Sequence, residues 1–496
     1  MLGQPPISLA ITEHQRRLII RAITVVVTFA IATVGIIWNV LTMLRIGVGA
    51  LVVLVILRYP YVLLISWALI DAFIGSTLSF FQGNNFDLGL TLTSILVVAT
   101  MPVNATLRRM PALAFLLLYL LWTFASISIS SLGIREFLTT WSLDFDHLLV
   151  GILVINLVTT QQRLRRLVDA IILVATFISV YGIYGYFTKH NGVADHSVAS
   201  LFRIGSTFGN VAPSLSMFLC VVIPLIIYRT LISRGFMRSI GLILVLTSLI
   251  ALLLTFTRTA FISFPLGLLI IIPFLPTRKL KVSFSAAIGL LAALAILVAV
   301  VGKAPIFDRF FSQDVTTLNG RIYLWQALID HFDPLQVLGK GLNASDILLA
   351  NLQVGGFGGG VIGTAPHNLF LGTLYDHGII GVTLLVLVFL RLAFLLFTGM
   401  MKASGERRTL FAMATVAWVN MVILSLEGND LWNQSIGIYF WICMVLPFAR
   451  CWLPSKPILT NNQAIFNETK ARNEFAGSKT KRLAPHALLP EHGVSK

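Results

Sequence analysis

Apolar runs of about 15–21 residues recur along most of this 496-residue chain and constrain its fold more than any other feature. A helix that crosses the hydrocarbon core of a bilayer needs about 20 apolar residues. Hydrophobic residues make up 57% of the sequence and charged residues 11%. A soluble domain, by contrast, is about 45–50% apolar and about 25% charged. The sequence therefore predicts an all-α, polytopic bundle of transmembrane helices.

The apolar runs predict about 12 to 14 spans, because the first two runs can also form a single shallow hairpin. The candidate spans are Ile19–Trp38, Ile46–Leu57, Tyr61–Phe80, Leu88–Val103, Pro111–Ser130, His147–Thr160, Leu167–Phe187, Val211–Tyr228, Ile240–Leu254, Phe261–Pro273, Val282–Val301, Gly378–Phe397, Thr409–Leu426 and Ser435–Ala449.

The net charge of +16 is concentrated in short links between spans, such as Arg163–Arg166, Arg229–Arg238 and Lys402–Arg408. Cytoplasmic loops of membrane proteins carry an excess of Lys and Arg. The charge therefore indicates topology, with both termini in the cytoplasm, and not a nucleic-acid partner. The few cations predicted on the other side need a different explanation.

The chain divides into four predicted regions. Residues 1–301 form the N-terminal and central bundle, and 302–377 form a large periplasmic loop that contains short helices. One of these helices is predicted over Gly320–His331. Residues 378–450 form the C-terminal spans, and the polar, aperiodic segment 451–496 is predicted to be a disordered cytoplasmic tail.

The three cysteines, Cys220, Cys443 and Cys451, form neither a disulfide framework nor a metal-binding spacing. We therefore expect no metal and no other cofactor.

Arg258 lies in an apolar stretch of about 36 residues, Ile240–Leu275, which is too long for one span at 1.5 Å per residue. The stretch must fold into two helices with a turn near Thr255–Thr259, which places Arg258 at the outer mouth of the bundle. Arginine suits phosphate oxygens because its rigid fork binds them bidentately. The alternative is a boundary residue that extends its charge to the interface.

Two further arginines belong to the same predicted side. Arg203 precedes the span that starts at Val211, with Asn210 beside it as a hydrogen-bonding group; it can also be an ordinary loop arginine. Arg321 lies in the first turn of the predicted loop helix, where a cation is unfavourable. It therefore needs an anionic partner, either a carboxylate such as Asp314 or a substrate phosphate.

His367 is the candidate general base. It follows Pro366, a residue favoured in the first turn of a helix. A helix N-terminus disfavours imidazolium, so the histidine is expected to be neutral at pH 7, as a base must be. The alternative is a structural histidine at a helix start that Asn368 orients.

These segments, in this order, resemble the O-antigen ligase / O-antigen polymerase superfamily over roughly Phe115–Leu446. The matching motifs are Arg203-Ile-Gly-Ser-Thr-Phe-Gly-Asn210, Thr257-Arg258-Thr259-Ala260, Arg321-Ile-Tyr-Leu-Trp325, a turn with Pro334, Gly339 and Gly341, and His367-Asn368 followed by Gly378-Ile-Ile-Gly381. Two departures occur: Thr257 replaces the usual serine, and the usual Asn-Pro-Asn is reduced to Asn210-Val-Ala-Pro213.

The resemblance implies a metal-independent, inverting glycosyltransferase at the periplasmic face of the bacterial inner membrane. Its donor would be a glycan on undecaprenyl diphosphate, and its acceptor a glycan or lipid-linked hydroxyl. Arg203 and Arg258 would hold the diphosphate, and His367 would activate the acceptor. Arg321, with Asn368 and Asn210, would contribute to substrate binding.

A polymerase for exopolysaccharide or O-antigen is expected, with a chain-length regulator and a flippase as partners. The first alternative is a ligase that attaches finished glycan to the lipid A core. The second is a polysaccharide transporter, for which paired half-chain repeats would be expected; the sequence contains no evident repeat.

Overall fold

The computed structural model describes residues 50–71, 86–101, 111–189, 194–195, 203–208, 212–274, 285, 289, 321–333, 337–352, 365–428 and 434–453. Asn210, the predicted span Ile19–Trp38, nearly all of the predicted span Val282–Val301 and nearly all of the predicted tail lie outside these residues.

After a helical segment at 50–58, the helices are α1 (Tyr61–Ile70), α2 (Phe86–Ala99), α3 (Leu113–Ala125), α4 (Ile134–Leu157), α5 (Gln161–Thr188), α6 (Ala212–Ile232), α7 (Phe236–Leu254), α8 (Arg258–Ile271), α9 (Arg321–Asp330), α10 (Ala344–Leu352), α11 (Leu369–Lys402), α12 (Gly405–Ser425) and α13 (Gln434–Val445). Short 3-10 turns follow or connect several of them. Two short strands, β1 (Ala194–Asp195) and β2 (Arg203–Ile204), pair antiparallel with Asp195 opposite Arg203.

Six helices, α4, α5, α6, α7, α11 and α12, are long and apolar enough to cross a membrane. Five shorter apolar helices accompany them within the described residues. The predicted all-α polytopic bundle is therefore confirmed. The total number of spans and the four-region division stay predictions.

The centre of the bundle is formed by α6 and α12, which are buried along most of their length and pack against each other. Helix α7, in contrast, exposes Leu242, Ile243 and Leu246 on its outer face. In water such a face would be unfavourable, whereas lipid tails are as apolar as leucine. The arrangement is that of inner helices surrounded by lipid-facing ones.

One ion pair lies near each end of helix α12. Near its start, Glu406 accepts from Arg165 at 3.0 Å and from the Tyr228 hydroxyl at 2.8 Å. Just beyond its end, Glu427 pairs with Arg321. A helix of 21 residues rises about 30 Å. The basic link around Arg165 and the candidate site around Arg321 therefore lie at opposite ends of the bundle.

The predicted turn inside the long apolar stretch is confirmed. Helix α7 ends at Leu254 with Thr255 as its C-cap, Phe256 adopts a positive φ of 49°, and Thr257 is the N-cap of α8. Arg258 is therefore the first residue of α8.

One predicted span start is wrong and another is confirmed. Helix α4 begins at Ile134 and not at His147, because Asp144 and Asp146 are buried within the bundle although their polarity lowers the hydropathy of that segment. The segment α11, in contrast, consists of two helices that meet at Gly378, so the predicted start at this residue is confirmed. Gly378 has a φ of 67°, and backbone atoms of Val337 and Gly339 leave no room there for a side chain.

Candidate functional site

Arg203 is anchored against the turn between α7 and α8. Its side chain is buried, with the residue 4% exposed. Nε donates to the carbonyl oxygen of Thr255 at 2.9 Å, and Nη2 donates to the Thr257 hydroxyl at 3.4 Å. The short strand that carries Arg203 thus brings its guanidinium to the turn that presents Arg258. The structure brings these two sequence-predicted arginines together.

Arg258 occupies a helix start that favours an anion. Thr257 makes no side-chain capping hydrogen bond, and the first turn of α8 has no acidic residue. The N-terminus of a helix carries a partial positive charge, which an added arginine increases. Backbone N–H groups and a guanidinium together form the type of environment in which phosphates bind.

Arg321, the first residue of α9, forms an ion pair with Glu427. The two side chains are 13% and 24% exposed, so the pair is largely shielded from water. The expected need for an anionic partner is met by Glu427, whereas Asp314 lies outside the described residues. Sequence reasoning missed Glu427, although a carboxylate directly after a predicted span was a signal that could have identified it.

The segment 366–369 is held between α9 and the end of α12. Trp325 on α9 donates its indole N–H to the carbonyl oxygen of Pro366 at 2.9 Å. The backbone N–H of Leu369 donates to the carbonyl oxygen of Gly428, next to Glu427, at 3.2 Å. These two bonds bring His367 into the neighbourhood of the Arg321–Glu427 pair.

His367 is mostly buried, and its pKa is lowered from 6.5 to about 4, first by loss of solvation and second by the nearby charge of Arg321. The imidazole is therefore neutral at pH 7. The expected cause was a position inside the first helical turn, and that position is wrong. His367 precedes the N-cap with a positive φ of 48°, and Pro366 lies outside the helix as well.

Asn368 determines this helix start. Its Oδ1 accepts from the backbone N–H of Leu371 at 3.0 Å, so Asn368 is the N-cap of α11. Asparagine is among the best N-cap residues. It therefore ends the preceding extended segment and leaves His367 outside the helix.

A small cleft connects several of these elements. We call it the arginine cleft; it is lined by residues that include Pro213, Ser216, Thr257, Thr259, Arg321 and Glu427. Its volume is about 10 Å³, enough for an atom-sized group such as one phosphate oxygen. It joins the start of α6, the α8 turn, α9 and the end of α12. Asn210 lies outside the described residues, so its predicted role stays a prediction.

A second, larger cavity of about 110 Å³ borders the same segment 366–369, because Pro366 and Leu369 both line it. We call it the carboxylate cavity, after its polar lining of Tyr119, Asp144, Asp346, Thr373, Asp376 and His377. Sequence reasoning missed its three carboxylates, of which Asp144 lies within an apolar helix.

The two cavities differ in what they could hold. In the part of the chain that the structure describes, no group of three or more His, Cys, Asp or Glu side chains is arranged to hold a metal ion. The arginine cleft suits an anion, the neutral His367 can accept a proton, and the carboxylate cavity suits hydrogen-bond donors. Together these groups can support transfer from an anionic leaving group to a hydroxyl.

Residues 243–386 match the protein family described as O-antigen ligase. The match contains Arg258, Arg321, His367 and Asn368, whereas Arg203 and Glu427 lie outside it. A comparison with characterised proteins found no match. The family implies a membrane enzyme that transfers glycans and uses lipid-linked glycan substrates. The chain is therefore a multi-pass helical membrane protein whose residues 243–386 match the O-antigen ligase family, which supports the resemblance to the O-antigen ligase/polymerase superfamily.

Proposed function

We propose that this protein transfers or polymerises a glycan from undecaprenyl diphosphate onto an acceptor hydroxyl, for exopolysaccharide or O-antigen synthesis. The observation that carries the proposal is the position of a neutral His367 beside Arg321, next to a turn that holds Arg203 and presents Arg258. A base and a set of cations are the two groups that such a transfer requires.

In the proposed reaction, an oxygen of the acceptor hydroxyl attacks the anomeric carbon of the donor sugar. The bond between that carbon and the diphosphate oxygen breaks, and the hydroxyl proton passes to His367. Attack from the side opposite the leaving group inverts the anomeric configuration. Pre-positioned cations at the developing negative charge are often the largest contribution to such catalysis.

Arg258 and Arg203 are proposed to bind the leaving diphosphate. Arg203 is buried and fixed by its bonds to Thr255 and Thr257, so its guanidinium costs little further ordering on binding. Arg258 adds its fork at the start of α8. Because arginines can neutralise the diphosphate, the proposed reaction does not require Mg²⁺; full activity in EDTA would support this point.

Arg321 is proposed to have two functions. Its ion pair with Glu427 positions α9, and its charge adds to the burial that keeps His367 neutral. Arg321 and Glu427 also line the arginine cleft, where a phosphate oxygen could replace one contact of the Glu427 carboxylate with Arg321. Asn368 orients the start of α11 and so positions His367.

The site end of the bundle is proposed to face the periplasm of the inner membrane. It lies opposite the basic link of Arg163–Arg166, which the positive-inside rule assigns to the cytoplasm. The topology can be tested with a membrane-impermeant thiol reagent in a Cys451→Ser background, since the other two cysteines are buried. Asp330→Cys should react from outside and Phe236→Cys should not; the opposite result would overturn the orientation.

Polymerase activity and ligase activity are both supported by the superfamily, and the family description favours ligase as the second candidate. Purified protein in nanodiscs, supplied with a lipid-linked glycan, distinguishes them. A polymerase yields a ladder of longer lipid-linked chains from that substrate alone. A ligase produces nothing until lipid A core is added, and a protein that only moves the lipid across the bilayer forms no new glycosidic bond.

A further inference from the structure

The carboxylate cavity contains polar groups that the transfer chemistry does not use. Its volume of about 110 Å³ compares with about 30 Å³ per water in the liquid. The space therefore suits the hydroxyl-bearing edge of one sugar ring.

Two buried side chains in this cavity point to a ligand. Asp144 of α4 is 5% exposed, and His377, next to the α11 kink, is 4% exposed. Among the residues that the structure describes, Nδ1 of His377 has no hydrogen-bond partner. A buried polar atom without a partner is unfavourable, so an incoming hydroxyl group that pairs with it would be bound favourably.

The rest of the lining is already organised. Asp376 Oδ1 accepts the backbone N–H of Ser345 at 2.7 Å, which fixes the carboxylate relative to α10. The rings of Tyr119 and His377 meet edge to face at 6.2 Å. The cavity is thus pre-formed between α3, α4, α10 and α11 and needs little rearrangement to accept a ligand.

The chemistry of the lining selects the class of ligand. Carboxyl oxygens accept hydrogen bonds from hydroxyl groups. Among the described residues that line the cavity, none is Lys or Arg. A phosphate or an acidic sugar would therefore find no cation in the lining to balance its charge, and no described group is arranged to hold a metal ion instead.

We propose that the carboxylate cavity binds one uncharged, hydroxyl-rich sugar unit of the glycan substrates and rejects acidic sugars. The inference rests on the proposed glycan transfer and assigns its sugar-specificity site to Asp144, Thr373, Asp376 and His377. Pro366 and Leu369 line the cavity, so a sugar there lies next to His367. The sugar unit belongs to either the acceptor or the donor glycan, and the KM values for the two substrates distinguish these cases.

Binding is measured directly by saturation-transfer NMR on the full chain in lipid nanodiscs, which avoids sugar detergents. The probes are the methyl glycosides of glucose, galactose and mannose, with methyl glucuronide as the acidic counterpart. Neutral glycosides should bind and the glucuronide should not. Asp144→Asn and Thr373→Val should each weaken binding about tenfold, whereas Asp330→Asn, an exposed carboxylate on α9, should leave it unchanged.

Three results would overturn the inference: no binding by any neutral glycoside, equal binding of the glucuronide, or binding that Asp144→Asn and Thr373→Val leave intact. Loss of binding in EDTA would also overturn it, because the carboxylates would then act through a divalent cation. Folding of each variant is verified by thermal unfolding in the same nanodiscs, and Thr373→Val provides an independent test if Asp144→Asn does not fold.

Steady-state kinetics of the transfer reaction identify which glycan, the donor or the acceptor, contributes the sugar in the carboxylate cavity. If the cavity takes the acceptor sugar, Asp144→Asn raises KM for the acceptor about tenfold and leaves KM for the donor unchanged; the reverse pattern assigns the donor sugar. The variant His367→Ala tests the proposed transfer independently of the sugar site, because it should abolish transfer yet retain binding of the neutral glycosides. Transfer that survives His367→Ala would refute the base while leaving the sugar site intact.

Discussion

The arginine cleft and the carboxylate cavity both adjoin the segment 366–369, yet they differ in their charged groups. The cleft is bordered by Arg321, whose charge is matched by Glu427, and lies at the turn that carries Arg258. The cavity has Asp144, Asp346 and Asp376 without a lining Lys or Arg among the described residues.

This difference explains how one site could handle two unlike parts of a lipid-linked glycan. Phosphate oxygens need cations, and sugar hydroxyls need acceptors. Keeping the two sets on separate surfaces prevents the arginines from pairing with the carboxylates that a sugar would use. The segment with the neutral imidazole then joins the two regions, and the following predictions test that arrangement.

The largest expected effect comes from His367→Asn. Asparagine keeps a hydrogen bond but cannot take a proton at pH 7, so the transfer rate should fall about 10²–10⁴-fold. His331→Asn is the matched control, because His331 is exposed directly after the neighbouring α9 and its ring nitrogen Nδ1 bonds the Ala327 carbonyl at 2.8 Å. Rates are measured with purified lipid-linked donor and acceptor. Near wild-type transfer by His367→Asn would limit this residue to orientation.

Arg258→Lys tests the cationic side of the comparison. The substitution keeps the charge but loses the bidentate fork, and should cost roughly 1–3 kcal/mol of transition-state stabilisation. Arg135→Lys, at an exposed position in the first turn of α4, should have no effect on transfer. Equal rates for the two variants would remove Arg258 from the phosphate site.

Substitution of Asn368 tests whether the N-cap of α11 affects transfer through protein stability or through the position of His367. Asn368→Ala should lower the free energy of unfolding by about 1 kcal/mol, the usual cost of a lost cap. Thr160→Ala removes the corresponding cap of α5 at the opposite end of the bundle, where Thr160 accepts from the Arg163 N–H at 3.2 Å. Both variants should unfold at similar temperatures, but only Asn368→Ala should slow transfer. A slowing by both would indicate a general loss of stability.

The smallest expected effect is a shift in pH dependence. Because the pKa of His367 is about 4, transfer should be constant from pH 8 to about 5 and fall below that. The pKa is depressed in the folded state, so this group's contribution to stability is full above its ordinary value of 6.5. That contribution is lost as the pH falls from there through about 4.

Arg321→Gln removes the charge that lowers this pKa, so the acidic limb of the rate profile should move to higher pH. It should stay below 6.5, because burial is the larger cause. Arg135→Lys again provides the control. An unchanged limb in Arg321→Gln would show that the group titrating in transfer is not His367.

Much of the fold followed from local sequence. The length of Ile240–Leu275 required a turn, and the turn lies at Thr255–Thr257 as expected. The predicted span start at Gly378 also agrees with the structure, where two helices meet at this glycine. The start of α4 was wrong because hydropathy treats buried carboxylates as a span end. The burial of Asp144 and Asp146 inside the bundle reversed that interpretation.

The sequence by itself determined the helical membrane class, the resemblance to the superfamily and the choice of candidate arginines and histidine, because apolar length and ordered motifs are local properties of the chain. The tertiary structure decided their surroundings: the Glu427 partner of Arg321, the burial that keeps His367 neutral, and the carboxylates of α4 and α11 that share a cavity. These depend on helices far apart in sequence packing together, and desolvation and pairing of charges arise only where that packing excludes water.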